Sequence, residues 1–256
     1  MCGIRSSYAR RNRDEGEKPF WISYSDLMTA LMVLFLVVMS ISLLIVTREL
    51  MNQKETYKKI IDAETARRKE RNDAIKGMML SLEEVVHKHF SGEIRISNDR
   101  HSIDFGELAH FVRKDYRLPP DGARLLRSFL PYLLSVADSK DGKKWLRRVV
   151  VEGFTDTDGS YMYNLNLSLK RAQSVICALM AAPDSSEPGL SPEQKRRVME
   201  LFLVGGFSFN SAKASKEESR RIELRLEFEG LDNDSGRRQL TPTSGLPLKI
   251  GKCQID

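Results

Sequence analysis

From Leu27 to Thr47 the chain reads LMTALMVLFLVVMSISLLIVT, 21 residues without one Asp, Glu, Lys or Arg. This run constrains the fold most tightly, because a helix needs about 20 such residues to cross the hydrocarbon of a bilayer. Extended back to Phe20, the segment spans roughly 40 Å as a helix, against a hydrocarbon core of about 30 Å. Tilt or protrusion absorbs the excess. Phe20, Trp21 and Tyr24 cluster at the front end, where amphipathic rings favour the headgroup region. A cleaved signal peptide is the alternative. Its apolar region runs about 7–15 residues before a small-residue cleavage site, whereas this run is longer and leads into Thr47-Arg48-Glu49. Residues 20–47 are therefore read as one uncleaved transmembrane helix.

The acid at the front of that segment, Asp26, stands out. A carboxylate at the centre of a spanning helix costs about 2.5–3.5 kcal/mol on insertion scales, so such residues face protein or water and mark ion pathways. Burial disfavours the charged form, which lets an acid of this kind alternate between neutral and ionised states. The competing reading places Asp26 at the interface as a helix N-cap, behind Ser23 and Ser25. Charge does not fix the orientation. Residues 1–18 carry five Lys/Arg and three acids, and residues 48–71 carry eight and five, so the positive-inside rule is undecided.

Elsewhere the composition is that of a globular chain. Lys+Arg number 41 against 35 Asp+Glu, and hydrophobic residues are 41% of 256, too polar on average for a polytopic membrane protein. Three Cys exclude a disulfide-dense scaffold. Positive charges are interleaved with acids and match no nucleic-acid motif, so direct nucleic-acid binding is not expected.

Residues 48–93 read as a charged helical connector. Ile75, Met78, Met79, Leu82, Val85 and Val86 recur at helical spacing on one face. That face serves either to pack on the adjoining domain or to form a dimer or gate. His87 and His89 lack companions that would complete a metal site. IRISNDRHSIDFGE (94–107) alternates around a polar turn, as a hairpin does. Pro119-Pro120-Asp121 opens a helix with an apolar face at Leu125, Leu126, Phe129, Leu130, Leu133 and Leu134, interrupted by Pro131. WLRRVVVEGF (145–154) reads as a buried strand, 161–182 as a helix, and PDSSEPGLSP as a loop. A short helix follows near 192–200, and LFLVGGF and RRIELRLEF supply two more strands. The class is α+β: a single N-terminal transmembrane helix, a charged connecting helix, and a βαβαββ domain over 94–229 with helices on one face of a mixed sheet. Residues 230–256 read as an extended tail, and 1–19 as a short N-tail.

The run PFWISYSDLMTALMVLFLVV (Pro19 to Val38) resembles the transmembrane signature of MotB-type stator subunits. Within that group, EKPFWISYSDLMTALMVLFLVV is similar to the B subunits of Zorya anti-phage systems. The resemblance implies that Asp26 is the ion-carrying residue. It also implies that two copies place their helices inside a ring of polytopic MotA-like partner subunits. VEGFTDTDGSYMYNLNLSLKRAQSV (Val151 to Val175) resembles the signature of OmpA-like peptidoglycan-binding domains. Its elements here are Gly153, Phe154, Thr155, Asp156, Gly159, Tyr163, Asn164, Leu167, Ser168, Arg171 and Ala172, with SRRIEL (219–224) as the closing strand. Phe154 stands where the pattern has His, and Ser219 where it has Asn.

That second resemblance implies a peptidoglycan stem peptide as ligand, bound by Asp156, Tyr163, Asn164, Leu167 and Arg171. Diaminopimelate offers an ammonium for Asp and a carboxylate for the Arg fork. Asn164, Leu167 and Arg171 share a helix face by spacing; Asp156 and Arg171 pairing only with each other is the structural alternative. A wall-binding domain is periplasmic, which makes the N-tail cytoplasmic and the chain a single-pass inner-membrane protein. Cys177 and Cys253 then share the oxidising compartment and could form a disulfide, while Cys2 does not. Neither an enzyme activity nor a cofactor or metal is implied. The readings left are an ion-driven Zorya-type motor subunit, a flagellar stator subunit, and an inert membrane-tethered wall anchor.

Overall fold

The computed structural model describes residues 20–90, 92–181, 189–231, 251 and 253. The N-tail, most of the C-terminal tail and most of the Pro/Ser-rich loop lie outside the described residues. The chain divides into two units, Met1–Glu64 and Thr65–Asp256, and each is treated by itself.

In the first unit the apolar run is helical, as part of α1 (Phe20–His89). Large apolar side chains from Leu27 to Val46 are more than two-fifths exposed. A continuous exposed surface of that kind belongs against lipid rather than water. Three hydroxyls in the run are satisfied within the helix. Thr29 donates to Ser25 O at 3.0 Å, Ser40 to Leu36 O at 2.7 Å, and Thr47 to Leu43 O at 2.8 Å. Such back-bonding removes the cost of a bare donor in hydrocarbon.

In the second unit, Ala74, Ile75, Met78, Met79, Leu82 and Val86 of α1, with Phe90 just beyond it, join the hydrophobic core. The connector's apolar face is thus a packing face, and the compact unit begins at Thr65, well ahead of residue 94. His89 stacks on Tyr132 with ring centroids 5.3 Å apart.

Among the described residues the sheet has five strands: β1 (Arg95–Ser97), β2 (Ser102–Asp104), β3 (Leu146–Gly153), β4 (Phe202–Gly206) and β5 (Ile222–Phe228). Their order is β1-β2-β5-β3-β4. β3 and β4 run parallel, and the other neighbours are antiparallel. The helices are α2 (Pro120–Asp138), α3 (Lys140–Trp145), α4 (Tyr161–Met180), α5 (Pro192–Leu201) and α6 (Lys216–Ser219). The α+β class with a mixed sheet is as expected from the sequence.

Period-two alternation sends Val149 and Val151 of β3 and Ile222, Leu224 and Leu226 of β5 into the core with the α2 face. The opposite face carries a ladder of charge, in which Arg225 pairs with Glu152 and Arg148 with Glu227. Pro131 does not interrupt α2, which runs on to Asp138. Leu125, Leu126, Phe129 and Leu130 before it and Leu133 and Leu134 after it are all buried, and this packing outweighs the one backbone bond that proline removes.

Helix starts are set locally. The Ser160 hydroxyl accepts from Tyr163 N at 3.3 Å, and Ser191 with Gln194 forms a reciprocal capping box. The seat of α4 is set by two glycines. Gly153 and Gly206 are paired across β3 and β4. A Cβ on Gly153 would lie 2.0 Å from Ser168 O, and one on Gly206 2.8 Å from Leu169 N. Hydrogen in place of a side chain lets α4 lie directly on the strand ends. Ser168 Oγ then accepts from Ser208 N at 3.0 Å, fixing the turn beyond β4 against the helix.

Candidate functional sites

Asp26 lies six residues past Phe20, the first residue of α1, with helix on both sides. The N-cap alternative therefore does not hold. The Thr29 hydroxyl donates to the Asp26 carbonyl at 2.9 Å, and the residue is exposed on the helix surface at the head of the uncharged run.

The second site is a cleft of about 240 Å³ between the start of α4 and two loops. Asp156, Tyr163, Asn164, Leu167 and Arg171 all line it, together with Arg113, Lys114, Asp158 and Gly159. The five residues singled out in the sequence are thus brought to one place. Their exposures differ sharply. Tyr163 is 47% exposed, whereas Asn164 and Arg171 are at 1% and 0%.

Arg171 is held by the backbone. Its Nε donates to Asp115 O at 2.9 Å, Nη1 to Phe154 O at 2.8 Å, and Nη2 to Val112 O at 3.2 Å. Three of about five guanidinium donors are used in this way. Burial draws its pKa down to about 10, with Asp156 pushing it back up, so it stays charged at neutral pH. Its partner is not Asp156. That carboxylate takes Arg220 Nη1 at 3.1 Å on Oδ2 and Asp158 N at 3.1 Å on Oδ1. Arg220 also donates from Nε to Phe111 O at 3.0 Å, and Phe111 N returns a bond to Arg220 O at 2.8 Å. Residues 111–115 are therefore gripped at Phe111 by Arg220 and at Val112 and Asp115 by Arg171.

Around the rim, Asp158 meets Arg113 at 3.2 Å and Lys216 at 2.5 Å. The bond from Lys216, helped by Arg113, holds the Asp158 carboxyl below the usual carboxylate range. Asn164 Nδ2 donates to Asp158 O at 2.9 Å. The buried Asn164 Oδ1 has no hydrogen-bond partner among the described residues. A buried acceptor without a donor is costly, and Asn164 as a residue belongs to the lining of the cleft.

The two departures from the OmpA-like pattern have structural reasons. Phe154 is buried, with the Arg221 guanidinium 4.3 Å from its ring centroid. Ser219 Oγ donates to Ser215 O at 2.8 Å and accepts from Lys213 N at 2.9 Å, closing the turn before β5. Neither residue lines the cleft. Sequence reasoning missed Arg113, Lys114 and the clamp by Arg220. Arg220 stood within SRRIEL, where the strand pattern drew attention to the apolar residues. Cys177 of α4 is disulfide-bonded to Cys253, with Cα atoms 5.7 Å apart. Among the described residues no group of three or more His, Cys, Asp or Glu could hold a metal ion.

One chain thus joins a helix apolar enough to span a membrane to an α+β domain that carries a charged cleft. The family model for membrane MotB of the proton-channel complex MotA/MotB matches residues 7–47. Over its full length the chain is 42% identical to the Zorya protein ZorB of Escherichia coli O139:H28 (strain E24377A / ETEC), across 258 aligned residues that cover 98% of that relative. The chain belongs to the ZorB family. Solved structures that it resembles in part include the OmpA-like domain of FopA1 from Francisella tularensis subsp. tularensis SCHU S4, at 20% identity and TM-score 0.33, covering 54% of this chain and 82% of that one. Another is the periplasmic domain of Helicobacter pylori MotB (residues 90–256), at 13% identity and TM-score 0.36, covering 57% and 84%.

Proposed function

We propose that this chain is the wall-anchored, ion-carrying subunit of a Zorya-type anti-phage motor. Two copies place their α1 helices inside a ring of polytopic MotA-like subunits. The N-tail is cytoplasmic, and the cleft domain is periplasmic and grips peptidoglycan. The observation that carries this reading is Asp26, an acid at the head of an uncharged spanning helix in a chain of the ZorB family.

A proton arriving from the periplasmic side neutralises Asp26, and its release to the cytoplasm restores the charge. Each elementary charge crossing 100 mV supplies about 2.3 kcal/mol, which biases rotation of the ring around a dimer fixed to the wall. In the cleft, Asp156 accepts from the ammonium of a stem-peptide diaminopimelate. The cleft's cations meet its carboxylates, and Tyr163 and Leu167 supply apolar contact.

A phage challenge of cells carrying the chain with its partner genes tests the reading. Wild type protects, and Asp26→Asn, which mimics the neutral acid permanently, abolishes protection while membrane abundance and retention on sacculi stay unchanged. Full protection by Asp26→Asn would remove the ion-carrying role.

A further inference from the structure

The strand β4 ends the sheet on one side, and only β3 pairs with it among the described residues. An edge of this kind offers free backbone groups to any extended segment, and proteins guard it with charge, proline or cover. The β4 sequence, FLVGG, has neither charge nor proline. Val151 of β3 faces the core and is paired with Val204, so Val204 points to the helix-covered side of the sheet. Val204 is nevertheless more than two-fifths exposed, as is Leu169 of α4, whose backbone N lies over Gly206. An apolar strip is thus left along the outer margin of β4, under the flank of α4.

The chain itself supplies a segment that fits this strip. In LPLKI, Leu246, Leu248 and Ile250 alternate with Pro247 and Lys249, the period of a strand with one apolar side. Three residues later, Cys253 is bonded to Cys177 of α4, the helix seated on β3 and β4 at Gly153 and Gly206. The position of that tie sets a direction. Ser168 sits against Gly206, the last residue of β4, and Cys177 is nine residues further along α4, about 13 Å. Lys195 of α5, the helix that leads into β4, donates to Met180 O at 2.9 Å. Cys177 therefore lies toward the start of β4, and a segment that follows the edge and ends there runs antiparallel to the strand. Reach is ample. β5 ends at Phe228, opposite Leu146 at the start of β3. A strand added beyond β4 is three strand spacings from β5, about 14 Å, and residues 232–245 extend to about 45 Å.

We infer that residues 246–250 form a further strand on the free edge of β4, antiparallel to it, and shield that edge from other chains. Proline has no N–H to give, so Pro247 turns its backbone away from β4. Leu246, Leu248 and Ile250 then donate to β4, and their side chains, all on one face, cover Val204 and Leu169. Pro247 also blunts the new edge that the added strand creates.

The test is hydrogen–deuterium exchange of the full-length chain in detergent, resolved to single amides. In wild type, Leu246, Ile250 and the β4 amides that point away from β3 should exchange at least about tenfold slower than in Leu248→Pro, which removes an inward N–H. Lys249→Pro removes an N–H that points outward and should keep wild-type protection. Unchanged protection of β3 and β5 in both variants separates loss of the added strand from unfolding. Outer β4 amides that exchange as fast in wild type as in Leu248→Pro would overturn the inference, and so would equal loss in both proline variants. Protection of β4 that survives Leu248→Pro but falls on dilution would also overturn it, because a second copy would then be covering the edge.

Discussion

Arg220 Nη1 lies 3.1 Å from Asp156 Oδ2, and side-chain exposures of 12% and 8% leave little water to replace either partner. Removing one member of such a pair strands the other and costs about 3 kcal/mol. Arg220 also grips Phe111 through the backbone, so Arg220→Ala should loosen the loop that carries Arg113 and Lys114. We expect a loss of about 3 kcal/mol by urea denaturation and a fall in retention on sacculi. A variant as stable as wild type would contradict the clamp.

The contact of α4 with the sheet makes a contrast among glycines. Gly153→Ala places a methyl 2.0 Å from Ser168 O, a backbone atom that cannot step aside. We expect destabilisation of about 3 kcal/mol or more, as for overpacking in a tight site. Gly77→Ala lies within α1, with nothing within 4 Å of the added methyl. It should stabilise by about 0.5–1 kcal/mol through helix propensity. Paired thermal melts of the two variants check both signs.

Acid sensitivity should come in part from Asp104. Burial alone pushes its carboxyl up, but the Lys213 bond at 2.8 Å, the charges of Lys213 and Arg95, and the Gly106 N–H together hold it below the ordinary 3.8. A depressed folded pKa stabilises above the unfolded value, and that contribution is lost as pH falls through the folded one. Asp104→Asn should cost about 2 kcal/mol at pH 7, a gap that shrinks as pH drops below about 4. Denaturation midpoints measured from pH 7 to pH 2 would show it; a gap constant with pH would contradict it.

The Cys177–Cys253 bond closes a loop with a sequence separation of 76. Cross-links of that span stabilise mostly by restricting the unfolded chain, by about 2–4 kcal/mol. Alkylation of the denatured, unreduced protein should leave both residues unlabelled, and Cys177→Ser should lower the melting temperature by several degrees. Two labelled thiols would contradict the bond.

The two ends of the account were legible in the sequence for the same reason: both depend on local spacing. An uncharged 21-residue run with one acid at its head marks α1, and the intervals between Asn164, Leu167 and Arg171 place three side chains on one face of α4, with Asp156 in the turn before it. The partners of those side chains were not legible. Arg171 bonds residues 56 and 59 positions away, and Arg220 reaches Asp156 across 64, distances that periodicity does not register. The short α3 and α6 were missed because four to six residues carry too little pattern. Pro131 misled in the opposite direction, since a local breaker was overruled by tertiary packing.

The most direct test of the account is a cytosolic pH reporter read during phage infection, in cells carrying the chain with its partner genes. If Asp26 carries protons through the membrane, wild-type cells should acidify after infection and Asp26→Asn cells should not, at equal protein abundance. The same acidification in both strains would contradict the central role given to Asp26.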